Sequence, residues 1–358
     1  MKYQKILITG GAGFVGANLA IDFKKKYPQL TVIALDNLKR RGAELNINRL
    51  KEKGVEFVHG DVRCPEDLSG LDLGKNFLMI ECSAEPSVLA GVNSSPEYLL
   101  NTNLMGAINC FEMARKSRAD VIFLSTSRVY PIEPLTKLKY KETPTRYALD
   151  EKQPLVGVSE KGISEKFSLE GARSLYGATK LCSELIFQEY QAAYGLRGVI
   201  NRCGVITGPW QMGKVDQGVV VLWMARHFFG GNLSYIGYGG KGKQVRDFIH
   251  VKDLFDLLDQ QVGRIDKYDG QVFNVGGGVE NSFSLLELTR LCRQVTDKKI
   301  KLGAVKETRP NDIRIYLTDS EKVKEATGWK PKIGLEKTLE DIHRWLIDNR
   351  DLLAPILS

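Results

Sequence analysis

Tyr176 and Lys180 stand four residues apart in Tyr-Gly-Ala-Thr-Lys, at the opening of a run with helical character. On a helix, such a pair shares one face. Upstream, Ser125-Thr126-Ser127 closes an apolar run that reads as a strand. A phenol, an ammonium and a hydroxyl gathered there can take the proton of an alcohol while its carbon gives up hydride. A free tyrosine, with a pKa of about 10, is too weakly acidic for this near neutrality. A neighbouring ammonium favours the phenolate and lowers that value, and Thr126 can donate to the same oxygen and orient it.

This chemistry needs a hydride acceptor, and the N-terminus offers a place for one. Ile6-Leu7-Ile8-Thr9 runs into Gly10-Gly11-Ala12-Gly13-Phe14-Val15-Gly16, where a strand meets a helix. Glycines 10, 13 and 16 allow a tight turn, contact between a pyrophosphate and backbone N–H groups, and close packing of helix on strand. The helix N-terminus adds partial positive charge for the phosphates. A second strand ends in Asp36, twenty positions after Gly16, where a carboxylate accepts hydrogen bonds from an adenosine ribose. That charge would repel the extra phosphate of NADP, which favours NAD, although Lys39, Arg40 and Arg41 argue the other way. Asp61-Val62 follows a third strand, where an adenine ring would rest.

The elements that must hold these residues alternate along the N-terminal half. Strands are expected at 5–9, 31–35, 56–58, 77–80, 121–125 and 198–202, with amphipathic helices such as 17–26 and 105–116 between them. Such alternation predicts an α/β fold, a Rossmann-type doubly wound parallel sheet covered on both faces. After Arg202 the chain turns glycine-rich, returns to a strand at 271–275, and continues into helical runs at 284–295 and 335–349. We therefore expect a smaller, interleaved C-terminal substrate-binding lobe. Residues 1–202 and 235–277 would form the cofactor domain, and 203–234 and 278–358 the lobe. The stretch 135–171 is charged, broken by Pro144, Pro154 and glycines, and weakly periodic. It reads as a long surface excursion, a lid or a plain connection.

Bulk properties narrow the function classes. The net charge of +8 comes from basic residues interleaved with acids, without a nucleic-acid motif. The same excess would suit a few arginines converging on a diphosphate. No 18-residue apolar run occurs, so no membrane span is expected. Residues 1–5 run directly into a strand, the pattern of a chain without a secretory leader. Cys64, Cys82, Cys110, Cys182, Cys203 and Cys292 are scattered without a C-x-x-C pair, and read as reduced thiols of a cytoplasmic protein. His59, His227, His250 and His343 are too dispersed to suggest a metal cage. Gly237-Tyr-Gly-Gly-Lys-Gly242-Lys243-Gln244 nearly fits a P-loop. It ends in Gln where a magnesium-binding hydroxyl is needed, and it does not open a strand–helix unit.

Taken together, the chain resembles the extended short-chain dehydrogenase/reductases, the NAD-dependent epimerases and dehydratases. The resemblance rests on the glycine motif, Asp36, Asn103-Leu-Met-Gly106, the Ser-Thr strand end, Tyr176/Lys180 and Arg202-Cys-Gly-Val-Ile-Thr-Gly208-Pro209, and it spans nearly the whole chain. Within that family it is most similar to the CDP-paratose (CDP-tyvelose) 2-epimerases. The similar stretches are Lys139-Tyr-Lys-Glu-Thr-Pro-Thr-Arg-Tyr147, Asp216-Gln217-Gly218, Gly240-Lys-Gly-Lys-Gln-Val-Arg-Asp247, Asn274-Val-Gly-Gly277, Asn281-Ser-Phe-Ser-Leu-Leu-Glu-Leu288 and Gly328-Trp-Lys-Pro-Lys332.

The resemblance implies that Thr126, Tyr176 and Lys180 are catalytic. NAD would be held by Gly10, Gly13, Phe14, Val15, Gly16, Asp36, Asn37, Asp61, Val62, Ser125, Tyr176, Lys180 and Cys203. A nucleotide-diphosphate sugar would be bound by Thr126, Ser127, Gln217, Gln244, Arg246 and Arg309, the two arginines on the diphosphate. It also implies a homo-oligomer, dimer or tetramer. A 2-epimerase is the first expectation. A UDP-sugar 4-epimerase is the nearest rival, and a dehydrogenase or reductase, or a cofactor-binding protein without catalysis, stands further off.

Two departures matter. The family's His-x-Ala-Ala after the fourth strand is here Glu81-Cys82-Ser83-Ala84. The Asp-Glu pair with which 4,6-dehydratases follow the strand-end threonine is here Ser127-Arg128, which argues against elimination of water.

Overall fold

A computed structural model describes residues 2–214 and 217–358. The chain divides into two compact units, 1–129 with 175–203 and 254–273, and 130–174 with 204–253 and 274–358.

The first unit is built on short aliphatic strands: β1 (Lys5–Thr9), β2 (Thr31–Asp36), β3 (Glu56–His59), β4 (Leu78–Glu81), β5 (Asp120–Thr126), β6 (Gly198–Cys203) and β7 (Val272–Val275). They lie in the order β7-β6-β5-β4-β1-β2-β3, and the pairs from β3 across to β6 are parallel. Chain order reverses between β1 and β4, and the carboxyl edge at such a reversal opens a crevice. The registers Thr9↔Glu81 and Thr126↔Cys203 place these four residues along that edge.

Side chains alternate faces along a strand, so each strand feeds two packing layers. Leu7, Met79, Val121 and Phe123 join Phe111 of helix α2 (Gly106–Ser117) and Phe187 of helix α3 (Leu175–Tyr194) in one cluster. Phe111 meets Phe123 edge-on at 5.4 Å between ring centroids. Helix α1 (Phe14–Lys26) buries Leu19, Ala20 and Phe23, and Phe23 stacks edge-on with Phe255 at 5.0 Å. This is the expected doubly wound α/β sheet.

The second unit has a sheet of its own. Val245–His250 pairs in parallel with Val205–Thr207 and Ile315–Tyr316, and antiparallel with Ser282–Ser284. The helices Val219–Phe229, Leu285–Thr296 and Leu335–Asp348 belong to this unit. The division thus differs from the expected one at 130–174, 235–253 and 274–277, all of which fall in this unit; the strand at 245–250 hydrogen-bonds to 205–207, 282–284 and 315–316 and is absent from the central sheet.

The excursion 135–171 differs as well. It carries two hairpins, Tyr140–Glu142 with Tyr147–Leu149, and Val158–Ser159 with Gly162–Ile163. Both are tied down at a distance. Arg146 forks onto Glu287, and a Cβ on Gly162 would lie 2.4 Å from the Leu317 carbonyl oxygen. Among the described residues no helix is long and apolar enough to cross a membrane.

Candidate active site

The glycine turn is shaped by what it cannot hold. Gly10 has φ +62, and a Cβ there would sit 2.9 Å from the Cys82 carbonyl oxygen. A Cβ on Gly16 would come within 2.2 Å of the Gly10 oxygen, so α1 can close onto the turn only without one. Gly13 caps α1 without a side-chain cap hydrogen bond, and Phe14 and Val15 stand in the first turn. A helix N-terminus with no capping side chain suits a pyrophosphate.

Asp36 ends β2 beside this turn. Its carboxylate accepts the Ala12 N–H at 3.1 Å and the Leu38 N–H at 2.8 Å. Burial pushes its carboxyl above the ordinary range, against the pull of these N–H donors and that of Gly13. Asn37 donates to Asp61 at 2.9 Å, and Arg63 forks onto the same carboxylate. Burial of Asp61 is outweighed by Arg63 and Asn37, which hold its carboxyl down at about 2. The Val62 carbonyl accepts from Asn109 at 2.9 Å. A cradle that a Cβ would fill, a helix N-terminus without a capping side chain and a fixed carboxylate at the end of β2 fit a dinucleotide.

The catalytic candidates meet at the same edge. Thr126 ends β5, and Tyr176 stands in the first turn of α3, its phenol near enough for the Thr126 hydroxyl to favour its ionised form. Lys180, one turn on, is 2% exposed. Its ammonium lies 3.4 Å from Glu81 Oε2 and 4.2 Å from the centre of the Phe123 ring. Burial pushes the Tyr176 phenol up, and the Lys180 ammonium, the Thr126 hydroxyl and Arg128 pull it down without cancelling that rise. The phenol therefore carries its proton in the resting protein. Lys180 acts on it in the expected direction, and burial exceeds it.

Neighbouring candidates have their own attachments. Ser125 donates to Glu184, a buried carboxylate that also receives the Arg202 guanidinium at 2.7 Å. Cys203 is buried, its thiol pushed up to about 12 by desolvation. Ser127 opens a single 3₁₀ turn, and the Arg128 N–H donates to Thr126 Oγ1 at 3.2 Å.

The remaining substrate candidates belong to the second unit. Arg246 donates to Asp312 and to the Ile313 carbonyl, both at 2.7 Å, which fixes its guanidinium plane. Gln244 donates to the Ile236 carbonyl at 2.9 Å, and its Oε1 is buried without a partner. Gln217 bridges Lys214 through the backbone, and the Arg309 carbonyl accepts the Asp312 N–H in a turn. Asp216 lies outside the described residues.

Sequence reasoning passed over Glu184, the buried partner of Ser125 and Arg202. It read Glu81 as a departure without seeing its bond to Lys180. A charged residue inside an otherwise apolar strand or helix face was the available signal in both cases.

A sequence model of the NAD dependent epimerase/dehydratase family matches residues 6–276. The chain belongs to that family. Its cofactor is NAD, as the family description states. Over 349 residues it is 31% identical to the CDP-paratose 2-epimerase of Salmonella typhi, covering 96% of this chain and 99% of that one. It is 28% identical to the UDP-glucose 4-epimerase of Halalkalibacterium halodurans, with 95% of each covered. The UDP-glucose 4-epimerase of Thermotoga maritima, solved with UDP-glucose, superposes with a TM-score of 0.75 at 25% identity, over 97% of this chain and 99% of that one. The matched stretch contains the glycine turn, Asp36 and Tyr176/Lys180.

Proposed function

We propose that this chain is a nucleotide-sugar epimerase that inverts a carbinol carbon, with carbon 2 of a CDP-linked sugar as the first candidate. The reading is supported by Tyr176 and Lys180 one turn apart at the start of α3, Thr126 at the end of β5, and Lys180 held by Glu81, which pairs in register with Thr9 at the mouth of the glycine turn. Bound NAD supplies the hydride acceptor and later donor, and its positive ring adds to the pull of Lys180 toward phenolate. Tyr176 Oη takes the sugar's hydroxyl proton while Thr126 Oγ1 orients that oxygen. The carbon becomes a flat ketone, the sugar turns about its anchored diphosphate, and Tyr176 returns the proton on completion. Gln217, Gln244, Arg246 and Arg309 hold the substrate in this scheme, the arginines on its diphosphate.

Neither residue after Thr126 is acidic, so loss of water lacks its acid and base. A UDP-sugar 4-epimerase is the second reading, supported by the similarity to two such enzymes. Incubation with CDP-, UDP-, GDP- and dTDP-sugars, read by chromatography, tests both. The expected result is interconversion of a CDP-sugar pair without net consumption of NAD, with deuterium at the reacting carbon retained. Tyr176→Phe should lower kcat by about 10²–10⁴-fold. Undiminished turnover in that variant, or deuterium lost to solvent, would remove the scheme.

A further inference from the structure

Glu81 ends β4 with 1% of its surface exposed, between β1 and β5 in the sheet. Its carboxylate accepts the Ser83 N–H at 2.8 Å and the Thr9 hydroxyl at 3.5 Å, and it faces the Lys180 ammonium at 3.4 Å. The resemblance to known epimerases gives no warrant for a carboxylate here, since a histidine is usual at this position.

The surroundings are otherwise poor in charge. The Lys180 ammonium lies over the Phe123 ring, its charge reaches the buried thiols of Cys82, Cys110 and Cys203, and Tyr176 precedes it by one turn of α3. Burial raises all three thiols, Cys82 and Cys110 well above the ordinary range, so they stay protonated and neutral. Thr126 and Arg128 also act on the phenol, both favouring its ionised form. One ammonium therefore has two claimants, the carboxylate of Glu81 and the phenolate that Tyr176 must become.

We infer that Glu81 is a positioning residue acting through Lys180: its buried carboxylate holds the ammonium and offsets its charge, which raises the pH at which Tyr176 can serve as base. The inference rests on the proposed role of Tyr176. Burial raises the Glu81 carboxyl, and Lys180, Ser83 and Thr9 pull it down; an amide in its place keeps the acceptor of the Ser83 N–H and takes away the negative charge that answers Lys180 in a closely coupled cluster. A cluster stripped of a negative charge loses its next proton at lower pH.

The test is a tyrosine ¹³Cζ NMR titration of the NAD-loaded protein, with Tyr176 assigned by the signal lost in Tyr176→Phe. Steady-state pH profiles are taken alongside. In Glu81→Gln the Tyr176 midpoint and the acid limb of kcat/KM should both fall by at least about one pH unit, the scale of a removed neighbouring charge. Glu81→Asp, which keeps the carboxylate, should keep the wild-type limb. Glu81→His, the residue usual in the family, gives a second variant compatible with the fold, and its midpoint should fall as in Glu81→Gln.

A carboxylate that merely braces the fold would lower kcat at every pH without moving either midpoint. That result, or a rise in the Tyr176 midpoint, would overturn the inference. If the wild type turns over no nucleotide sugar while the midpoint still falls, the proposed function fails and the charge coupling stands. If the wild type is active and the midpoint is unmoved, the coupling fails alone.

Discussion

Asp36 is fixed by two backbone N–H groups, one from the glycine turn and one from Leu38. In the proposed cofactor site its charge would stand against a second phosphate on the adenosine ribose. Asp36→Asn removes the charge and keeps an acceptor for one of the two N–H groups, which bond to different oxygens of the carboxylate. The ratio of the NADP to the NAD dissociation constant, measured by calorimetry, should fall by at least about tenfold, roughly 1.4 kcal/mol. An unchanged ratio would mean that Lys39, Arg40 and Arg41 set the preference. The candidate site could be nominated residue by residue because residue type and spacing together imply a reaction. What stayed hidden were the buried pairings. Nothing in the order of the chain announces that Glu81 reaches Lys180 across 99 positions. The same holds for Glu184, which takes both Ser125 and Arg202. Such contacts are products of the sheet order, which brings β4, β5 and β6 side by side.

Elements with a strong period came through with ends shifted by a few residues. The strand expected at 121–125 runs from Asp120 to Thr126, and the helix expected at 284–295 starts at Leu285 behind a Ser284 cap. Residues 135–171 defied local reading for a physical reason. Their hairpins are short, and their partners lie far along the chain. Arg146 pairs with Glu287, whose other duty is to close the capping box of the helix that follows Ser284. At this scale the turn before α1 gives the sharpest test. Gly16→Ala would press a methyl group onto the Gly10 oxygen and the Gly11 Cα, at 2.2 and 2.8 Å, both of them backbone. The helix must then move away from the turn, at a cost of about 1–3 kcal/mol typical of an overpacked site. Urea unfolding should show that loss, and calorimetry should show weakened NAD binding in the same variant. A Gly16→Ala protein of unchanged stability and NAD affinity would mean that the turn yields easily.

At the scale of the whole chain, the two units can be watched separately, because all four tryptophans, Trp210, Trp223, Trp329 and Trp345, belong to the second. Their fluorescence reports the unfolding of that unit. Within it His250 ends a strand at 1% exposure, with Nδ1 accepting the Lys252 N–H and Nε2 buried without a partner. Burial lowers its imidazole to about 4, with Lys252 and Lys337 adding to the fall and Asp341 opposing it. A histidine lowered in the folded state contributes its full stability above the unfolded value near 6.5. That contribution is lost as the pH falls toward 4, because the unfolded chain takes the proton first. By pH 5 the loss from this one group should be about 2 kcal/mol. Urea midpoints read by tryptophan fluorescence should therefore drop between pH 7 and pH 5. His250→Gln cannot take that proton, so it should flatten the dependence even where the substitution lowers the midpoint at every pH. If the slope survives in the variant, the acid sensitivity belongs to other groups, and the neutral ring of His250 has no part in it.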